Sequence, residues 1–99
     1  MAEVPFYLKD YESQDPEFVQ QLCILREKCQ SEGALDLKTK RLILFALMAA
    51  RDLPEGAANH VRLARELGAT NAELMEVIRL VFLNAGIPGL RAGIEAFNK

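Results

Sequence analysis

Nine consecutive residues, Leu42-Ile43-Leu44-Phe45-Ala46-Leu47-Met48-Ala49-Ala50, run without a polar interruption. Directly before them, Asp36 stands as an N-cap ahead of Leu37-Lys38-Thr39-Lys40-Arg41, so the run belongs to a helix that is apolar on every side. It is about half as long as a bilayer span, which takes about 20 residues of helix. Such a helix needs cover all round, and a domain of about 100 residues leaves much of its unfolded-chain surface exposed after folding. Flanking helices of the same chain are one source of cover. A neighbouring subunit is the other, and the burial limit favours it: a homo-oligomer is expected.

The 99 residues set a ceiling of one core, so a single domain over 1–99 is expected, with 1–14 as an N-terminal arm. With 51% hydrophobic and 26% charged residues, the chain has ample apolar material to fold. A formal net charge of -2 lacks the basic footprint of nucleic-acid or anionic-membrane binding, so neither partner is expected. Met1–Asp10 shows no basic stretch followed by an apolar one, which makes the cytoplasm the default compartment. Cys23 and Cys29 are too few for a disulfide framework, and with one His and no CxxC the structural zinc patterns are missing. No metal or cofactor is expected.

Periodicity then divides the chain into helices. Residues 1–14 carry Pro5, Phe6, Tyr7 and Tyr11 without sustained helical spacing and read as an arm packed over a neighbour. Asp15-Pro16-Glu17 starts a first helix that runs to Glu32, with Phe18, Val19, Leu22, Leu25 and Cys29 at helical spacing. The apolar helix follows from Asp36. Leu53-Pro54-Glu55-Gly56 opens a third, whose inward face is Ala57, His60, Val61, Ala64 and Leu67, and Gly68 ends it. Thr70-Asn71-Ala72-Glu73 is a capping box opening a fourth, with Leu74, Met75, Val77, Ile78, Val81 and Phe82 as its apolar stripe. Gly86-Ile87-Pro88-Gly89 breaks the chain before a short last helix marked by Leu90, Ile94 and Phe97. The fold class is all-α, a bundle of five to six helices.

His60 is the one side chain whose ordinary titration lies near neutrality, and its place on an inward stripe leaves two readings, a satisfied core histidine or an acid/base group. Cys23 and Cys29 stand six residues apart, about 9 Å of helical rise, too far for a disulfide within one helix. Arg41, Arg62 and Arg91 offer guanidinium forks for a substrate carboxylate, or are solvated helix-face charges. Glu55 is a second catalytic candidate, although the helix dipole alone explains an acid in a first turn. Asn84 either caps an apolar helix or lines a pocket mouth.

The segment Asn59-His60-Val61-Arg62-Leu63-Ala64-Arg65-Glu66-Leu67-Gly68-Ala69-Thr70-Asn71-Ala72-Glu73-Leu74, followed by Ala85-Gly86-Ile87-Pro88-Gly89, resembles the carboxymuconolactone decarboxylase family. That pattern has a His on one helix, a Gly-x-Thr-x-x-Glu cap on the next, and a Gly-Val/Ile-Pro break after it. Gly33-Ala34-Leu35-Asp36-Leu37-Lys38 and the helix from Arg41 fit the approach to the motif, so the resemblance spans roughly 32–97. It implies an alkylhydroperoxidase D-like all-helical domain assembled as a homo-oligomer, often a trimer or hexamer. The peroxidase branch of that family uses Glu-x-x-Cys-x-x-Cys-x-x-x-His. Here His60 is kept, while Ala50, Leu53 and Gly56 stand at the glutamate and cysteine positions. The thiolate that attacks peroxide is therefore missing from the motif. The decarboxylase-like branch implies acid/base chemistry by His60 on a small carboxylate or lactone. Two departures stand against a shared substrate: Gly56 lies where that branch tends to carry a glutamate, and Asn84 where it tends to carry an aromatic. A non-catalytic ligand-binding or structural member is the alternative.

Overall fold

The computed structural model describes residues 4–99, and the first three residues of the expected arm lie outside them. Five α-helices follow one another: α1 (Phe6–Glu12), α2 (Pro16–Gln30), α3 (Leu37–Ala50), α4 (Pro54–Glu66) and α5 (Asn71–Asn98). No strand occurs among the described residues. The chain divides into two compact units, 1–33 and 34–99, each with its own cluster of buried side chains.

In the first unit the residues read as an irregular arm form α1 instead. Seven residues are too few to hold a helix by propensity. Packing holds it: Leu8 is buried with Val19 and Cys23 of α2, and Val4 and Leu22 close around them. The neighbour under the arm is thus α2. Asp15 caps α2, its carboxylate accepting from the Phe18 N–H at 3.4 Å, and Pro16 takes the first turn, where its absent N–H costs nothing. The buried face of α2 is Val19 and Cys23, while Phe18, Leu25 and Cys29 are exposed. Of the residues read at helical spacing, Val19 and Leu22 pack against Leu8, and Cys23 joins them where Phe18, Leu25 and Cys29 stay exposed.

In the second unit α3 packs on α4 and on α5, and α4 on α5. Phe45, Ala49, Ala57, Val61, Leu74, Ile78, Val81, Ala92 and Ala96 form the core. The helix ends follow local chemistry. Asp36 caps α3, accepting from the Thr39 N–H at 2.7 Å. The reciprocal Thr70–Glu73 bonds of 3.1 and 2.9 Å open α5. After α4, Ala69 N–H reaches Ala64 C=O and Gly68 N–H reaches Arg65 C=O, with Gly68 at φ 96°. The same pair of bonds ends α3, from Leu53 to Met48 and from Asp52 to Ala49, with Asp52 in the left-handed position at φ 57°.

The expected four-residue break after α5's apolar stripe is narrower than the sequence reading has it. Helical geometry fails at Gly86 alone, whose φ of 71° and ψ of −157° lie in a region open essentially to glycine. Pro88 then falls in the first turn of the following rod, where a missing N–H is harmless. α5 is long and apolar enough to cross a bilayer by length and composition. The break divides it, however, and the rod from Asn71 to Ala85 spans about 22 Å at 1.5 Å per residue, short of a hydrocarbon core of about 30 Å.

Two of the cap carboxylates give the fold an acid sensitivity. Backbone and side-chain hydrogen bonds from Thr39 hold Asp36 below its ordinary carboxylate range. The Thr70 N–H, then the Lys38 ammonium 3.0 Å away, do the same for Glu73. A group whose folded pKa is depressed binds fewer protons folded than unfolded, so its contribution is present above the unfolded value and lost as pH falls through the folded one. Urea midpoints should accordingly be level near neutrality and fall below about pH 4. Asp36→Asn/Glu73→Gln protein should show a shallower fall, and an equal slope in both proteins would remove these caps as its source.

Candidate functional site

The inward stripe of α4 carries His60 into the interior beside Ala57, Val61 and Ala64. The buried stripe of α3 is set by Phe45 and Ala49, and Arg41 stands one turn before Phe45 on the same side. There its guanidinium comes within 3.2 Å of His60 Nδ1. A guanidinium has no acceptor, so a hydrogen bond at this contact has Arg41 donating and Nδ1 accepting. Arg41 is half-buried and His60 buried, so the contact lies in a less polar setting than one at the surface.

The other candidates are not gathered around His60. Arg62 donates to Asn59 Oδ1 at 2.7 Å and to Glu66 Oε2 at 3.0 Å, both on its own helix. Glu55 and Arg62 line an open groove of about 510 Å³ along α4, with Lys99 also in its lining. Arg91 lines a separate hollow of about 360 Å³ with Asp52, Pro54, Ile87, Pro88 and Glu95. Asn84 is exposed on α5 and lines neither. Among the described residues no three His, Cys, Asp or Glu side chains stand close enough to share a metal ion.

At the positions where the peroxidase motif would need cysteines, Leu53 is exposed and Gly56 lies against Met48. A Cβ built on Gly56 meets Met48 Sδ at 3.1 Å and Cε at 3.2 Å, so a cysteine there would need the flexible end of the methionine to give by a few tenths of an ångström. Cys23 and Cys29, both in the first unit, form no disulfide, and one is buried and the other exposed.

Two contacts escaped the sequence reading because their partners are far apart in the chain. Lys38 of α3 bridges to Glu73 at the start of α5. Arg65 of α4 donates to the Phe97 carbonyl at 3.2 Å, and its guanidinium lies 5.2 Å from the Phe97 ring centroid. Both tie α5 down rather than serve a reaction.

Comparison with known proteins places this arrangement. The model of the carboxymuconolactone decarboxylase family matches residues 16–99. The crystal structure of an apo carboxymuconolactone decarboxylase family protein from Legionella pneumophila superposes with a TM-score of 0.84 at 32% identity, covering 93% of this chain and 82% of that one. An uncharacterized protein of Methanocaldococcus jannaschii is 31% identical over 81 residues, which is 82% of this chain and 76% of the relative. An uncharacterized protein of the cox locus of Paracoccus denitrificans is 44% identical over 48 residues, 48% of this chain and 43% of its own.

Proposed function

Because the chain belongs to the carboxymuconolactone decarboxylase family, we propose that it acts, as a homo-oligomer of three or six subunits, on a small carboxylate or lactone at His60 and Arg41. The observation that carries this reading is the 3.2 Å contact between Arg41 and His60 Nδ1. With Arg41 donating to Nδ1, the ring would carry its proton on Nε2, the form in which a neutral histidine polarises a carbonyl oxygen. A substrate carboxylate that takes the Arg41 fork releases Nδ1, and His60 then becomes a general base near neutral pH. Substrate binding and activation of the base are thus one event.

A thermal-shift panel of small carboxylates, lactones and aromatic acids tests this on wild type, His60→Gln and Arg41→Met. A true ligand at about 100 times its dissociation constant should stabilise the wild type by roughly 2.7 kcal/mol. Both variants should lose the shift. A shift that survives in His60→Gln places the site elsewhere.

A second reading has an observation of its own. Of the six candidate residues, Arg41 and His60 are within 3.2 Å of one another, while Glu55 and Arg62 line one groove, Arg91 lines another and Asn84 lines neither. A ligand-binding protein without turnover needs no more than the pair. Ligand-induced stabilisation without product formation would favour it.

A further inference from the structure

The turn from α3 to α4 and the second rod of α5 border a hollow of about 360 Å³, at the small end of the roughly 300–1,000 Å³ of small-molecule pockets. Four of its lining residues are apolar: Pro54, Ile87, Pro88 and Ala92, with Ile87 left 56% exposed. Asp52, Arg91 and Glu95 complete the lining, and neither His60 nor Arg41 takes part in it. Glu95 has Lys99 at 3.7 Å. Asp52 and Arg91 differ: they are opposite charges on one hollow, yet among the described residues they form no ion pair with each other or with any other side chain.

The backbone, not a salt bridge, places each of the two. Asp52 holds the left-handed turn that ends α3, at φ 57°, with its N–H bonded to Ala49 C=O and the next N–H, of Leu53, to Met48 C=O. At the matching place after α4 stands Gly68, which takes such a φ without steric cost. Aspartate enters that region more readily than most residues, and here it brings a carboxylate to the hollow. Arg91 follows Ile87 by four residues and so shares its side of the rod.

An acid and a base that border an apolar hollow without neutralising each other are complementary to a small molecule that carries both charges. We propose that this hollow binds a free α-amino acid as its zwitterion. The ligand's carboxylate takes the Arg91 fork, its ammonium meets the Asp52 carboxylate, and an aliphatic side chain lies against Ile87 and Pro88. A carboxylate alone would face Asp52 and Glu95 without compensation, and an amine alone would face Arg91. A direct Asp52–Arg91 bridge, were the side chains to swing together, is an exposed pair of the kind that contributes little and is readily displaced. The site is separate from the His60–Arg41 pair and does not depend on its chemistry.

Isothermal titration calorimetry with L-leucine is the test, against isocaproate, which lacks the ammonium, isopentylamine, which lacks the carboxylate, and glycine, which lacks the side chain. The proteins are wild type, Arg91→Gln, Asp52→Asn and His60→Gln. Asparagine tolerates the left-handed turn, and both charge-removing substitutions are at exposed side chains, so circular dichroism should be unchanged in them. Leucine should bind wild type and His60→Gln alike. The three truncated ligands should each bind wild type about tenfold or more weakly than leucine, and Arg91→Gln and Asp52→Asn should each weaken leucine by a similar factor. Isocaproate or isopentylamine binding as tightly as leucine would make this a site for a single charge and overturn the zwitterion. An absence of leucine binding to wild type, or binding unchanged in both Arg91→Gln and Asp52→Asn, overturns the site. A leucine response lost in His60→Gln but kept in those two would move the ligand to the His60–Arg41 pair, and that too overturns the assignment.

Discussion

Gly89→Ala is expected to lower stability by about 1–3 kcal/mol, and Gly89→Val by more, because neither side chain has room. A Cβ at this position would lie 2.8 Å from Ala85 Cβ and 2.9 Å from Val81 Cγ1. Neither neighbour can swing away: one is a methyl fixed to the backbone and the other a β-branched side chain held in the core. The crowding has a structural origin. Gly86 turns the chain by adopting a backbone conformation that other residues avoid, and the second rod of α5 then passes close to the end of the first. Gly93, one turn on from Gly89, continues the bare strip, and its built Cβ would sit 3.3 Å from Ile78 Cγ1 and 3.9 Å from Ala49 Cβ. The loss should read as a Tm lowered by roughly 4–8 °C for each kcal/mol in a chain of this size. An unaltered Tm in Gly89→Ala would show that the two rods lie further apart than this packing requires.

How much of this was legible depends on how far apart the cooperating residues lie. Asp36, Thr70 with Glu73, and Gly68 each act within four residues, and the helix ends they mark are where the sequence places them. His60 was legible as an inward residue because periodicity alone orients it. Its partner was not, since Arg41 is 19 residues away on another helix and reads equally well as a solvated charge. Helix α1 was hidden for a related reason: Leu8 is ordered by Val19 and Cys23, not by anything in its own seven residues. The break in α5 was seen but overestimated, because Gly86, Pro88 and Gly89 look alike as helix breakers while serving as a turn, a first-turn proline and a close contact. Arg62, read either as a carboxylate anchor or as a solvated helix-face charge, bonds to Asn59 and Glu66 three and four residues away, contacts that the helical spacing already offers.

The apolar run that constrains the fold is also where the largest loss is expected. Phe45→Ala should destabilise by about 3–5 kcal/mol, since a wholly buried ring is removed from a core that cannot collapse around the space. Phe45 lies at the middle of α3, with Arg41 one turn before it and Ala49 one turn after. Ala49 in turn meets the bare strip of Gly89 and Gly93, so the three positions lock α3 at a fixed rotation between α4 and α5. That rotation is what aims Arg41 at His60. The same substitution should therefore weaken ligand-induced stabilisation, whereas Phe45→Leu, which restores most of the volume, should recover both properties in large part. Stability lost without any change in ligand response would separate the two roles. It would mean that Arg41 finds His60 by its own side-chain reach, and that the packing of α3 serves the fold alone.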